Sequence, residues 1–180
     1  MLKKLLKYLF FVIIFLIIVI FFIINIEGNF YKVNNDVYRS GQLNKYNLEY
    51  YINQHDIKTI LNLRGKSSKE YYTNEKNIAD MHNIDYINYK ISNRKFLDFN
   101  KTSELVKIMK DAKKPLLIHC AGGADRTSLA SALYQYAIEN KSTSEAKEEF
   151  SIIYGHSVYF RPHVKAMDDS FDNYVNKIKK

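Results

Sequence analysis

The segment His119-Cys-Ala-Gly-Gly-Ala-Asp-Arg-Thr127 brings a thiol, two glycines, a carboxylate, a guanidinium and a hydroxyl into one short stretch. The apolar run Pro115-Leu-Leu-Ile-His119 precedes it, and Thr127 to Asn140 follows with helical spacing, so the stretch reads as a strand–loop–helix junction. A helix N-terminus presents unpaired N–H groups and the positive end of the macrodipole, which suits a phosphate. Gly122 and Gly123 let the loop curl so that successive N–H groups point inward as an anion nest. Cys120 sits where that potential lowers a thiol pKa and makes a thiolate available near neutral pH. Arg126 can fold back and grip two phosphate oxygens in bidentate fashion. Phosphoryl transfer needs positioning and charge stabilisation above all, and such a loop supplies both.

The elements that must hold this loop read as follows. Asp36–Ser40 is extended, Asn44–His55 helical, Lys58–Leu63 a buried strand ended by Arg64-Gly65, and Lys69–His82 a helix. Ile84–Ile91 is a strand, Ser92–Asn100 a polar loop, and Thr102–Ala112 a helix. Ser142 and Glu145 form a capping box opening a helix that Gly155 could terminate, and Val164–Ile178 is the last helix. Helices alternating with short apolar strands give an α/β fold class, a mostly parallel central sheet flanked by helices.

Residues Tyr8 to Ile26 carry no charge and are almost pure Ile, Phe, Leu and Val. As a helix this run is about 28 Å long, close to the hydrocarbon thickness of a bilayer. It lacks a small-x-small cleavage site, so a retained transmembrane anchor is favoured over a signal peptide. Lys3, Lys4 and Lys7 precede it and only Lys32 follows closely, which keeps the N-terminus cytoplasmic and places the remainder outside the cytoplasm. The expected organisation is a membrane anchor over 1–27, a linker over 28–35 and one domain over 36–180.

The formal net charge is +8, and three of those charges are the lysines before the anchor. A modest positive field favours anionic substrates and membrane surfaces. The charges are scattered without a basic stripe, so nucleic-acid binding has no specific support. Cys120 is the one cysteine, which excludes a disulfide framework within the chain. A lone thiol outside the cytoplasm is a liability unless it is used.

The pattern His119-Cys120-x-x-Gly123-x-x-Arg126-Thr127 resembles the signature loop of the protein tyrosine and dual-specificity phosphatases. Asn29–Val33, Val37–Gln42, Leu61–Gly65, Gly122–Arg126 and Tyr154–His156 are similar to landmarks of a bacterial dual-specificity-like branch whose members often carry an N-terminal export or anchor segment. The resemblance implies that Cys120 attacks phosphorus and forms a phosphocysteine that water hydrolyses. It implies that Arg126 holds the phosphoryl oxygens, that Thr127 hydrogen-bonds the sulfur, and that His119 orients the loop. The main-chain cradle over Ala121–Arg126 completes the site, and no metal or other cofactor is required. The implied substrates are phosphorylated proteins or other phosphate monoesters.

A general acid is less legible. Enzymes of this kind take an Asp from a loop before the Cys, but here that loop begins Ile91-Ser-Asn-Arg94. Asp98 and Asp125 stand as candidates, each of which could equally be a helix cap, and Asp85 falls within a strand. Arg39 and Arg64 each follow a short strand and could add positive charge to the crevice, or be surface residues in salt bridges. His55, His82, His156 and His163 lack ligand spacing and read as surface or packing residues. The competing functional readings are a non-catalytic phosphate-binding module on the same loop, a sulfur-transfer enzyme, and a membrane-tethered redox sensor. Arg126-Thr127 fits phosphate better than sulfur transfer, and a sole cysteine cannot form an internal disulfide switch.

Overall fold

In the computed structural model, residues 2–25 and 27–179 are described, except for the side chains at 2, 20, 21 and 23–25. The elements run α1 (Leu2–Asn25), β1 (Tyr31–Lys32), β2 (Val37–Ser40), α2 (Lys45–His55), β3 (Thr59–Asn62), α3 (Glu70–Met81), β4 (Asp85–Asn88), α4 (Phe99–Asp111), β5 (Leu116–His119), α5 (Asp125–Ala137), α6 (Thr143–Lys147) and α7 (Lys165–Ile178). The strands form a sheet in the order β1-β2-β5-β3-β4, parallel except for the antiparallel β1 edge. The expected α/β architecture is observed.

Strand alternation divides the core into two layers. Val37, Leu61, Leu116 and Ile118 face α4, α5 and α7, meeting Leu105, Met109, Leu129, Leu133 and Phe171. Tyr38, Ile60 and Leu117 face α2 and α3, meeting Leu48, Ile52 and Ile78. Each such side chain contributes about 1.5–3 kcal/mol by its burial. Helix α5 is buried along most of its length, from Asp125 to Tyr134, which its small residues Ala130, Ser131 and Ala132 permit.

Register then decides what meets at the carboxyl ends of the strands. Ser40 pairs with His119, and His119 pairs with Asn62. The residues that follow each strand, Gly41-Gln42, Leu63-Arg64-Gly65 and the Cys120 loop, therefore emerge side by side. This edge is where open α/β sheets place ligands.

Two expectations differ from the structure, and a third is not met among the described residues. The helix opened by the Ser142–Glu145 capping box ends at Lys147, and Gly155, at φ 86°, closes a separate 3₁₀ turn over Ile152–Tyr154. The break delivers the carbonyl and carboxylate of Glu149 to buried Arg39. Residues 28–35 are also no free linker, because β1 joins the sheet and Asn29 is buried. Even Glu27 is held, its carbonyl accepting from the Tyr51 hydroxyl at 3.3 Å. As to the span expected over 8–26, among the described residues no helix is long and apolar enough to cross a membrane. The side chains at 20, 21 and 23–25, and all of residue 26, lie outside the described residues.

Candidate active site

The loop after β5 is shaped by donors from outside it. The carbonyl of Ala121 accepts from the Gln42 N–H at 3.0 Å. That of Gly122 accepts from Asn29 Nδ2 at 2.8 Å, and that of Gly123 from Arg39 Nη2 at 2.8 Å. In a trans peptide the C=O and the following N–H point in opposite directions. Three carbonyls drawn outward therefore turn the N–H groups of Gly122, Gly123 and Ala124 inward, toward Cys120. The anion nest expected from sequence follows from this pinning.

Cys120 is buried. Burial pushes its thiol pKa up, but the Arg126 guanidinium, the Thr127 hydroxyl and N–H, and the Gly123 N–H outweigh it and hold the pKa below its ordinary value. The Arg126 guanidinium donates to the carbonyls of Leu63 at 3.3 Å and Ile91 at 3.5 Å, which station it at the ends of β3 and β4. His119 lies beneath the loop, its Nδ1 3.3 Å from the Cys120 carbonyl and its Nε2 3.2 Å from Glu75 Oε1. Burial pushes the His119 pKa down, but the Glu75 carboxylate outweighs it and raises the pKa. Glu75 in turn accepts from the Tyr86 hydroxyl at 2.6 Å.

The glycines are not equivalent. Gly123 has φ +69°, and a Cβ there would lie 2.5 Å from the Gly41 nitrogen and 2.7 Å from the Ser40 carbonyl carbon. At Gly122 a Cβ would meet nothing within 4 Å. Gly123→Ala is expected to cost about 1–3 kcal/mol in chemical denaturation, with loss of activity, while Gly122→Ala stays within about 0.5 kcal/mol of wild type.

The candidate acids prove to be structural. Asp98 is exposed and caps α4, accepting from the Lys101 N–H at 2.9 Å. Asp125, the first residue of α5, is buried and accepts from Asn93 Nδ2 at 2.9 Å, His156 Nδ1 at 3.0 Å and both Arg161 Nη atoms at 3.0 Å. Burial raises its carboxyl pKa, but His156, Asn93 and Arg161 together hold it below the usual value. An Asp held ionised by three side chains is a poor proton donor and a good clamp for the loop.

His156, expected at the surface or in packing, is buried between Asp125 and Asp168, its Nε2 3.0 Å from Asp168 Oδ2. Burial lowers its pKa, but the two carboxylates push it up to about 9. A group raised in the folded state stabilises fully below its unfolded pKa, about 6.5, and loses that contribution as pH rises through 9. Thermal unfolding of wild type is thus expected to show a stability loss on the order of 2 kcal/mol between pH 6.5 and 9.5. His156→Asn should be less stable at neutral pH and flat across that window; a parallel decline in both proteins would refute the assignment.

Arg39 was a candidate for substrate contact, but it is 1% exposed and lies under the loop. Its guanidinium bonds Glu149, the Gly123 carbonyl and Ser128 Oγ, and stacks 3.8 Å from the Tyr154 ring. Arg64 is half-buried at the end of β3, donating to Gln42 Oε1 at 2.7 Å and stacking 3.5 Å from the Tyr71 ring. Glu75, Glu149 and Arg161 were not singled out from the sequence, and Asn29 stood out only as the first residue of the Asn29–Val33 landmark. Glu75 alone left a signal, an acidic residue on the same helical face as buried Ile78 and Ala79. Among the described residues no group of His, Cys, Asp and Glu could hold a metal.

Comparison with known proteins bears on the family and the fold. The sequence model of the tyrosine phosphatase family matches residues 25–170. No curated protein sequence matches the chain. Among solved structures, P. aeruginosa TpbA aligns with a TM-score of 0.68 at 17% identity, over 87% of this chain and 94% of that one. A Cys-to-Ser form of TpbA in complex with pTyr aligns at 0.62 and 17% identity, over 82% and 91%. The core catalytic domain of the S. cerevisiae PP-IP phosphatase SIW14 aligns at 0.61 and 20% identity, over 84% and 93%. At these identities the neighbours establish a shared fold, and the sequence match over most of the length establishes the kinship: the chain belongs to the tyrosine phosphatase family.

Proposed function

We propose that the chain hydrolyses phosphate monoesters, foremost phosphotyrosine in phosphoproteins, through a phosphocysteine on Cys120. The observation that carries this reading is the pinned loop, whose inward N–H groups and Arg126 surround a thiol held below its ordinary pKa. The thiolate attacks phosphorus as the phosphate–oxygen bond to the leaving group breaks, and the phosphoryl oxygens rest on the N–H cradle and Arg126. Water then displaces the thiolate and releases inorganic phosphate. Thr127 supports the departing sulfur through the same hydrogen bond that lowers its pKa.

With Asp98 on a cap and Asp125 held as a carboxylate, neither is poised to protonate the leaving oxygen. Aryl esters, which leave as phenoxides, are the favoured substrates. Across aryl phosphates of graded leaving-group pKa, wild-type kcat/KM is expected to fall steeply as that pKa rises, with Asp98→Asn giving the same slope. A shallow slope in wild type that steepens in Asp98→Asn would reinstate Asp98 as the acid. The rival reading, a phosphate-binding module without turnover, is separated by comparing the full chain with Cys120→Ser in the same assays.

The proposal extends to location: the run over 8–26, part of which lies outside the described residues, anchors the chain in a membrane with the domain outside the cytoplasm. Support comes from the uncharged run Tyr8 to Ile26, from Lys3, Lys4 and Lys7 before it, and from Leu5 to Ile18, whose large apolar side chains are 38–70% exposed. Retention in the membrane fraction through an alkaline wash, with the domain open to protease added from outside, is the expected outcome.

A further inference from the structure

Among the described residues outside α1, the segment that clamps Asp125 carries the two most exposed large apolar side chains, Tyr159 and Phe160. Ile152 and Ile153 are 66% and 69% exposed, and Tyr159 and Phe160 are 85% and 72% exposed. They flank, within a few residues, the groups that bind the phosphate loop. The Tyr154 carbonyl accepts from Asn29 Nδ2 at 2.9 Å, His156 and Arg161 hold Asp125, and Arg161 also donates to the Gly155 carbonyl. A monomer that shows water two isoleucines and two aromatic rings on one short segment is displaying a contact surface.

The chain itself indicates what covers it. Helix α1 ends at Asn25. The Glu27 carbonyl is held by Tyr51, the Gly28 carbonyl by the Gly41 N–H at 2.8 Å, and Asn29 reaches both Gly122 and Tyr154. Four residues span at most about 14 Å, so the end of α1 and the outer side of the phosphate loop are covalently confined to that distance. The Tyr31 and Tyr154 rings, 4.9 Å apart, join the first strand to the apolar segment. If α1 enters a bilayer, this segment is held at its surface. Its composition suits that place: the exposed aromatic rings of Tyr159 and Phe160 match the membrane–water interface.

We propose that the Ile152–Arg161 segment is a lipid-surface contact, seating Tyr159 and Phe160 among headgroups and holding the mouth of the Cys120 site against the bilayer. The site then takes phosphate monoesters presented at that surface. This rests on the anchored-phosphatase reading and is tested apart from it.

The chain has no tryptophan, so a single substitution gives a clean reporter. Full-length Phe160→Trp and, separately, Tyr159→Trp are reconstituted into vesicles of phosphatidylcholine and phosphatidylglycerol, with or without brominated acyl chains. The control is Met81→Trp, an exposed position at the end of α3, where the strands begin. The expected result is blue-shifted emission, largely quenched by brominated lipid, for both segment reporters, and unquenched emission for the control. Vesicle-bound protein with both segment reporters unquenched would overturn the proposal while leaving the anchor intact, and would assign the face to a protein partner. Protein that stays in the supernatant would overturn the anchor and the proposal together. None of these readouts depends on turnover, so the role of Cys120 is decided separately.

Discussion

Replacing Cys120 by Ser lowers turnover of an aryl phosphate by roughly 10⁴-fold or more, into the assay background. The loop works on a thiol because a thiol ordinarily ionises near pH 8.5, within reach of Arg126, Thr127 and the Gly123 N–H. A serine hydroxyl ionises far higher, and His119, the neighbouring imidazole, has its Nε2 3.2 Å from Glu75 Oε1, turned away from taking its proton. Ser is close to isosteric with Cys, and the hydrogen bonds that shape the cradle come from Gln42, Asn29 and Arg39. The variant should therefore unfold within a few degrees of wild type and still bind phosphate or vanadate. Retained turnover would place the nucleophile elsewhere; lost phosphate binding would mean the thiolate itself organises the loop.

Arg126→Lys lowers kcat/KM by on the order of 10²–10³-fold, although the charge is retained. A guanidinium offers two parallel N–H donors to two phosphoryl oxygens, whereas an ammonium offers a point charge. The fork is also pre-positioned by the Leu63 and Ile91 carbonyls. Arg126 is the largest charge holding the Cys120 thiol below its ordinary value. In Arg126→Ala the thiol pKa should therefore rise, and the acid limb of the kcat/KM profile should move to higher pH. Phosphate binding should weaken in parallel. An acid limb unmoved in Arg126→Ala would show that the loop N–H groups alone set the thiol.

The strands and helices that carry the site were legible because their signals are local. The apolar run before Cys120 and the helical spacing after Thr127 place the loop at a strand–helix junction, where the structure has it. The ends of the capping-box helix were not legible, because a buried partner on β2, Arg39, draws Glu149 out of helical geometry. The same long-range pairing explains the misread arginine: a strand-end position says that Arg39 is near the loop, not that it lies beneath it. Asp125 is the sharper case. Its type and place fit an acid equally well, and only the convergence of Asn93, His156 and Arg161, from two distant stretches of sequence, makes it a held carboxylate. His156 was passed over for the same reason, since neither aspartate partner is near it in sequence.

The central claim is a phosphoryl group on the sulfur of Cys120. The direct measurement is an acid quench of the full chain a few milliseconds after mixing with excess aryl phosphate, followed by intact-mass and peptide analysis under conditions that preserve the thiol ester. The expected result is one phosphoryl adduct per chain, mapped to the peptide containing His119–Thr127, formed at the rate of the burst and absent from Cys120→Ser. Turnover with a burst but no adduct on that peptide, or an adduct that survives in Cys120→Ser, would contradict the account.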